Sequence, residues 1–142
     1  MRRRENPLPP DINARLQQAR QALEKDPRAV FAYLFGGFGR GKSTPLSDID
    51  IAVYLDRSAD VSATKLDLIG AFMQALDTDE VDIVILNEAP LSLAGRVQQT
   101  ARVLIDKVPS QRFAYESLIR RQFADFAVRE RMILFRRFGI DR

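Results

Sequence analysis

Residues 34–56 read LFGGFGRGKSTPLSDIDIAVYLD, and two incompatible folds can be written through them. Gly36 to Ser43 spell G-x-x-x-x-G-K-S, a loop that cradles phosphates when it leads straight into a helix. Five residues later, Asp48-Ile-Asp50 sets two carboxylates one residue apart at the head of an apolar run. The first reading needs a helix next; the second needs a strand. Pro45 is tolerable at a helix start, but the residues beyond it, Ile-Asp-Ile-Ala-Val-Tyr-Leu, alternate as a strand does. Asp56 closes this run and imitates the second motif of such phosphate sites, yet it lies only 13 residues after Ser43. A parallel crossover needs about a dozen residues or more and normally a helix, and none fits here. The strand reading is therefore preferred: glycines end one strand and aspartates open the next.

Working outward, Asp11 can cap a helix to about Lys25, with Ile12, Leu16, Ala19 and Leu23 on one face and Asp26-Pro27 ending it. Ala29–Phe35 is a short aromatic-rich strand, Gly36–Ser47 a glycine-rich connection and Asp48–Leu55 a second strand. Asp60 can start a helix to about Leu76, with Leu66, Ile69, Phe72, Met73 and Leu76 as its buried stripe. Val81–Leu86 reads as a third strand, Ala89 to about Gln99 as a helix and Arg102–Asp106 as an edge strand. The last 30 residues form one long helix or two, with Phe113, Leu118, Ile119, Phe123, Phe126, Ile133, Leu134 and Phe138 on the apolar side. This order implies an α/β (α+β) fold with a small mixed sheet flanked by helices. A chain of 142 residues suits one domain, with a core at about 28–108 and a C-terminal helical segment over 109–142.

Composition narrows the chemistry. There is no cysteine and no histidine, so thiolate sites, the commonest general base and the commonest zinc ligand are all excluded. Catalysis would rest on carboxylates, Lys, Arg, hydroxyls, backbone amides or a hard, oxygen-bound ion such as Mg²⁺ or Mn²⁺. The sequence has no apolar stretch of about 18 residues, and MRRRENPLPP lacks the apolar core of a secretion signal; the expectation is a cytoplasmic protein without a membrane span. The net charge of +3 is uneven: residues 112–142 carry 8 Arg and 4 acidic residues, and the remainder is close to neutral. Glu116, Asp125 and Glu130 interrupt that positive segment, so direct nucleic-acid binding is not expected.

Residues i and i+2 of a strand share a face, so Asp48 and Asp50 would stand side by side. Like charges that close repel unless a cation lies between them. The alternative is a plain Ser47-Asp48 turn followed by a solvent-facing Asp50. Asp82, a lone carboxylate in VDIVIL, is either an outward strand residue or the third member of a cluster. Three converging carboxylates can hold two Mg²⁺ ions roughly 4 Å apart and clamp a phosphoryl transfer.

LFGGFGRGKSTPLSDIDIAV followed by VDIVIL resembles the minimal nucleotidyltransferases, a branch of the DNA polymerase β superfamily. Their signature is a strand, G-S-x-x-x-G, about ten residues, D-x-D and a third Asp on a later strand; the resemblance spans roughly residues 29–90. It implies a polymerase-β-like nucleotidyltransferase fold, Mg²⁺ (two ions) as cofactor and ATP as substrate. By the same resemblance Asp48, Asp50 and Asp82 are the catalytic, metal-binding carboxylates. Gly36, Gly37, Arg40, Gly41 and Ser47 belong to the phosphate-binding segment. Two positions depart from the pattern: Gly37 replaces the motif serine, and Phe38 stands where Arg is common. Small members of this length resemble antitoxin partners of HEPN-domain ribonuclease toxins, which implies a hetero-oligomer and AMP transfer to a toxin tyrosine. Two other functions stay open. One is an antitoxin that has lost catalysis with its motif serine and neutralises by binding alone; the other is transfer to a small molecule such as an aminoglycoside.

Overall fold

The computed structural model describes residues 8–39 and 48–138. The elements run α1 (Ile12–Lys25), β1 (Ala29–Phe35), α2 (Gly36–Gly39), β2 (Ile49–Leu55), α3 (Val61–Leu76), β3 (Val81–Ile85), α4 (Leu91–Thr100), β4 (Arg102–Asp106) and α5 (Pro109–Phe138). Four strands form one mixed sheet in the order β3-β2-β1-β4. β1 is antiparallel to both β2 and β4, whereas β2 and β3 are parallel, joined by the α3 crossover. An antiparallel β1–β2 pair excludes the phosphate-loop reading, whose strand–loop–helix unit feeds a parallel crossover. The outcome is the mixed sheet flanked by helices that the pattern implies.

Strand alternation sorts the side chains into two layers. Ile49, Ile51, Val53 and Leu55 of β2 join Leu34, Ile83 and Ile105 under α1 and α3. On the opposite face Phe31, Tyr33, Ala52 and Val97 pack with Tyr54, Val84 and Tyr115 beneath α4 and α5. Phe31 stacks on Tyr54 with ring centroids 4.7 Å apart and meets Tyr33 edge-on at 5.7 Å. Tyr33 donates from its hydroxyl to Glu116 Oε2 at 2.6 Å, and Arg112 bridges Glu116 and Asp106 at 3.0 Å each. These polar links fasten the root of α5 to the sheet.

Several boundaries differ from the sequence reading for local reasons. α4 starts at Leu91, because Pro90 disfavours helical geometry at Ala89. The buried stripe of α3 is Thr64, Leu68, Phe72 and Leu76, while Leu66 is 71% exposed and Met73 lies at the rim. In this apolar-rich helix two stripes satisfy helical spacing, and packing against the sheet chooses between them; Asp60 fixes only the start, accepting from the Ala63 amide at 3.0 Å. Asp11 precedes α1 without a side-chain cap and instead pairs with Arg15 at 2.9 Å.

α5 is a single helix of 30 residues, about 45 Å long at 1.5 Å per residue. Ile119 is buried and Phe123 half-buried, but Phe113, Leu118, Phe126 and Ile133 are exposed, and every residue from Ala124 to Ile133 faces solvent. The expected inward apolar side thus holds only near the helix middle, because α4 is too short to cover the rest; the Leu134 and Phe138 side chains lie outside the described residues. Among the described residues no helix is long and apolar enough to cross a membrane.

Candidate active site

The end of β1, the head of β2 and the head of β3 meet at one edge of the sheet's α4/α5 face. Phe35 pairs with Asp50 across the antiparallel ladder, and Asp50 pairs with Asp82 across the parallel one. Asp50 and Asp82 therefore point to the same side from adjacent strands, about 4.8 Å apart in strand spacing. Asp48 stands one residue before β2 and completes the group. The topology brings together all three carboxylates of the sequence reading. Asp82 is exposed and Asp48 and Asp50 are half-buried, so the group opens to solvent on one side.

The electrostatics are those of crowded like charges. Burial, the neighbouring charges of Asp82 and Asp48, and a hydrogen bond with Asp82 push the Asp50 carboxyl up to about 6. Asp48 Oδ1 is buried with no hydrogen-bond partner, an acceptor left unsatisfied. Among the described residues the carboxylates form no preassembled metal cage. The donor set, oxygen alone, fits Mg²⁺ or Mn²⁺.

Gly36 is where glycine is indispensable. Its φ is +66°, and a Cβ there would stand 2.5 Å from Oδ2 of Asp50. Only a residue without a side chain lets the chain leave β1 against that carboxylate. Gly36 and Gly37 lie in the single turn of α2, which turns the chain beside the carboxylates. The Gly36 amide donates to Oγ1 of Thr100, at the end of α4, at 3.0 Å. Thr100 is a residue that sequence reasoning missed; 64 positions separate it from its partner, and no local pattern marks it. Arg40, Gly41 and Ser47 lie outside the described residues.

This glycine turn beside three carboxylates invites comparison with known proteins. The family model described as polymerase beta, nucleotidyltransferase, matches residues 17–110. The chain belongs to that family. The match takes in every strand of the sheet and the whole carboxylate group. No curated protein matches the chain in sequence. Among solved structures, this nucleotidyltransferase chain is similar to one from a toxin–antitoxin structure with AMP-PNP, with 22% identity over 85% of this chain and 94% of that one and a TM-score of 0.67. It is similar to a chain of the toxin–antitoxin MntA–HepT, with 23% identity over 86% and 95% and a TM-score of 0.65. A third likeness is to a complex of tri-AMPylated Shewanella oneidensis HEPN toxin with MNT antitoxin, at 22% identity over 84% and 95% and a TM-score of 0.63. At such identities the likeness establishes the polymerase-β-like fold.

Proposed function

We propose that this protein transfers AMP from Mg-ATP to a hydroxyl of a partner protein, namely a tyrosine of a HEPN ribonuclease toxin, and so acts as its antitoxin. The observation that carries the reading is the in-register pair Asp50–Asp82 beside Gly36, with the orphaned Asp48 oxygen next to it. The similar toxin–antitoxin structures, one holding AMP-PNP and one an AMPylated toxin, support the choice of nucleotide and partner. So does α5, whose outer half presents Phe126, Met132 and Ile133 to solvent among arginines, a surface suited to another protein.

Asp48, Asp50 and Asp82 would hold the Mg²⁺ ions. When bound, these supply charge neutralisation at the transferring phosphoryl group. The chain's own part is positioning and proton transfer. Gly37 brings backbone close to the β- and γ-phosphates, and the family pattern assigns Arg40, Gly41 and Ser47 to the same phosphate-binding segment. Asp82, the most exposed of the three, takes the proton of the incoming hydroxyl. The acceptor oxygen bonds to the α-phosphorus, the bond to the β-phosphate oxygen breaks, and pyrophosphate leaves.

The test is intact mass of a HEPN-domain toxin after incubation with ATP, Mg²⁺ and the full chain. Mass added in AMP units, and lost with Asp48→Asn/Asp50→Asn, is the expected result; a stable complex without added mass would overturn it. That second outcome is the binding-only antitoxin, and Gly37 in place of the motif serine is the one observation that favours it.

A further inference from the structure

A cavity of about 350 Å³, lined in part by Gly36, opens against α4. Phe35, Leu93 and Val97 give it an apolar wall, and Gly36, Arg96 and Thr100 give it polar groups. Arg96 and Thr100 are four residues apart on one helix and so lie on the same face, one turn above the other. Among the described residues Arg96 is exposed and takes part in no ion pair or hydrogen bond. An uncommitted guanidinium at the mouth of a cavity is a fork of donors without an acceptor. Thr100 accepts from the Gly36 amide and keeps its own hydroxyl proton to donate.

The geometry points to Arg96 and Thr100 as an anion subsite that receives the outer phosphates of the nucleoside triphosphate, with Thr100 also positioning the glycine turn. The inference rests on the proposed nucleotidyl transfer and deepens it. Gly36 links the two halves: it stands against the Asp50 carboxylate, lines the Arg96–Thr100 cavity and donates its amide to Thr100, so a phosphate chain that passes this glycine from the carboxylates comes within reach of α4. Gly37 has no hydroxyl to offer, and the Thr100 hydroxyl stands at the adjacent residue, where it can serve in its place. The guanidinium, planar and always charged, matches phosphate oxygens two at a time.

Calorimetric titration of the full chain with ATP, AMP and inorganic tripolyphosphate, each with Mg²⁺, tests this. Arg96→Gln should weaken ATP and tripolyphosphate about tenfold, the loss of one charge-assisted contact, and leave AMP unchanged. Arg129→Gln, the same charge change on the outer part of α5, should leave all three unchanged. Thr100→Val should raise KM for ATP and lower kcat, because the turn is released as well, and Thr100→Ser should restore both. Equal tripolyphosphate binding by wild type and Arg96→Gln, or an equal loss in Arg129→Gln, overturns the subsite while leaving the proposed function standing. An equal loss of AMP affinity in Arg96→Gln also overturns it, since the nucleoside end would then be the contact. Arg96-dependent tripolyphosphate binding without AMP transfer supports the subsite and overturns the function; a wild type that binds neither ATP nor tripolyphosphate overturns both.

Discussion

Asp50 and Asp82 stand opposite one another on adjacent parallel strands, and the Asp50 carboxyl is pushed up to about 6 by burial, by the Asp82 and Asp48 charges and by its hydrogen bond with Asp82. The ordinary value is 3.8, so between about pH 4 and 6 the folded chain holds a proton that the unfolded chain has released. Without a cation, this group's contribution to stability is present below pH 4 and lost as pH rises through 6. Asp50→Asn removes the charge and with it the repulsion. Its expected effect is loss of transfer together with a melting temperature at pH 7.5 about 2–5 °C above wild type in chelator. Differential scanning calorimetry checks the second half, and an unchanged or lower melting temperature would mean that the three carboxylates do not strain the fold.

The same proton competes with a metal ion. Mn²⁺ should raise the melting temperature of the wild type at pH 8, progressively less as pH falls through 6, and not at all in Asp48→Asn/Asp50→Asn. Thermal melts against Mn²⁺ concentration at three pH values decide it. A pH-independent shift would put the ion elsewhere.

Gly36→Ala meets two obstacles, the left-handed φ and the Asp50 oxygen at 2.5 Å from the new methyl group. The expected cost is about 1–3 kcal/mol, read as a lower urea midpoint, with weakened ATP binding because the turn must shift. Wild-type stability in this variant would show that the turn is freer than its φ of +66° implies.

Gly37→Ser restores the hydroxyl that the family pattern has at this place. A new hydrogen bond to a charged phosphate is worth about 1.5–3 kcal/mol, so in a Thr100→Val background, where no other hydroxyl fills the role, KM for ATP should fall roughly tenfold or more, and with Thr100 in place it should change little. Steady-state AMP transfer measures it. A roughly tenfold fall with Thr100 in place would show that its hydroxyl does not fill the role of the motif serine.

Tyr33→Phe deletes the 2.6 Å hydrogen bond to Glu116 and leaves the carboxylates untouched. Stability should drop by about 1–2 kcal/mol while Mn²⁺ uptake stays the same. A variant as stable as wild type would show that the Arg112 bridge alone anchors α5.

What sequence by itself determined is what depends on neighbours along the chain. β1 at Ala29–Phe35 and β4 at Arg102–Asp106 fall where short apolar runs and the punctuation around them put them. The D-x-D pair and Asp82 were legible as candidates because carboxylates in apolar strands are costly and stand out. Tertiary structure decided everything that joins distant residues. It paired Asp50 with Asp82, turned Thr100 onto Gly36 across 64 positions, buried Thr64 and left Leu66 outside, and ran α5 past the last residue able to cover it. Period and propensity fix how a segment coils, but an apolar-rich helix has more than one face that could be buried. Which face goes inward, and which hydroxyl reaches which amide, is settled only when strands close on one another and exclude water from between them.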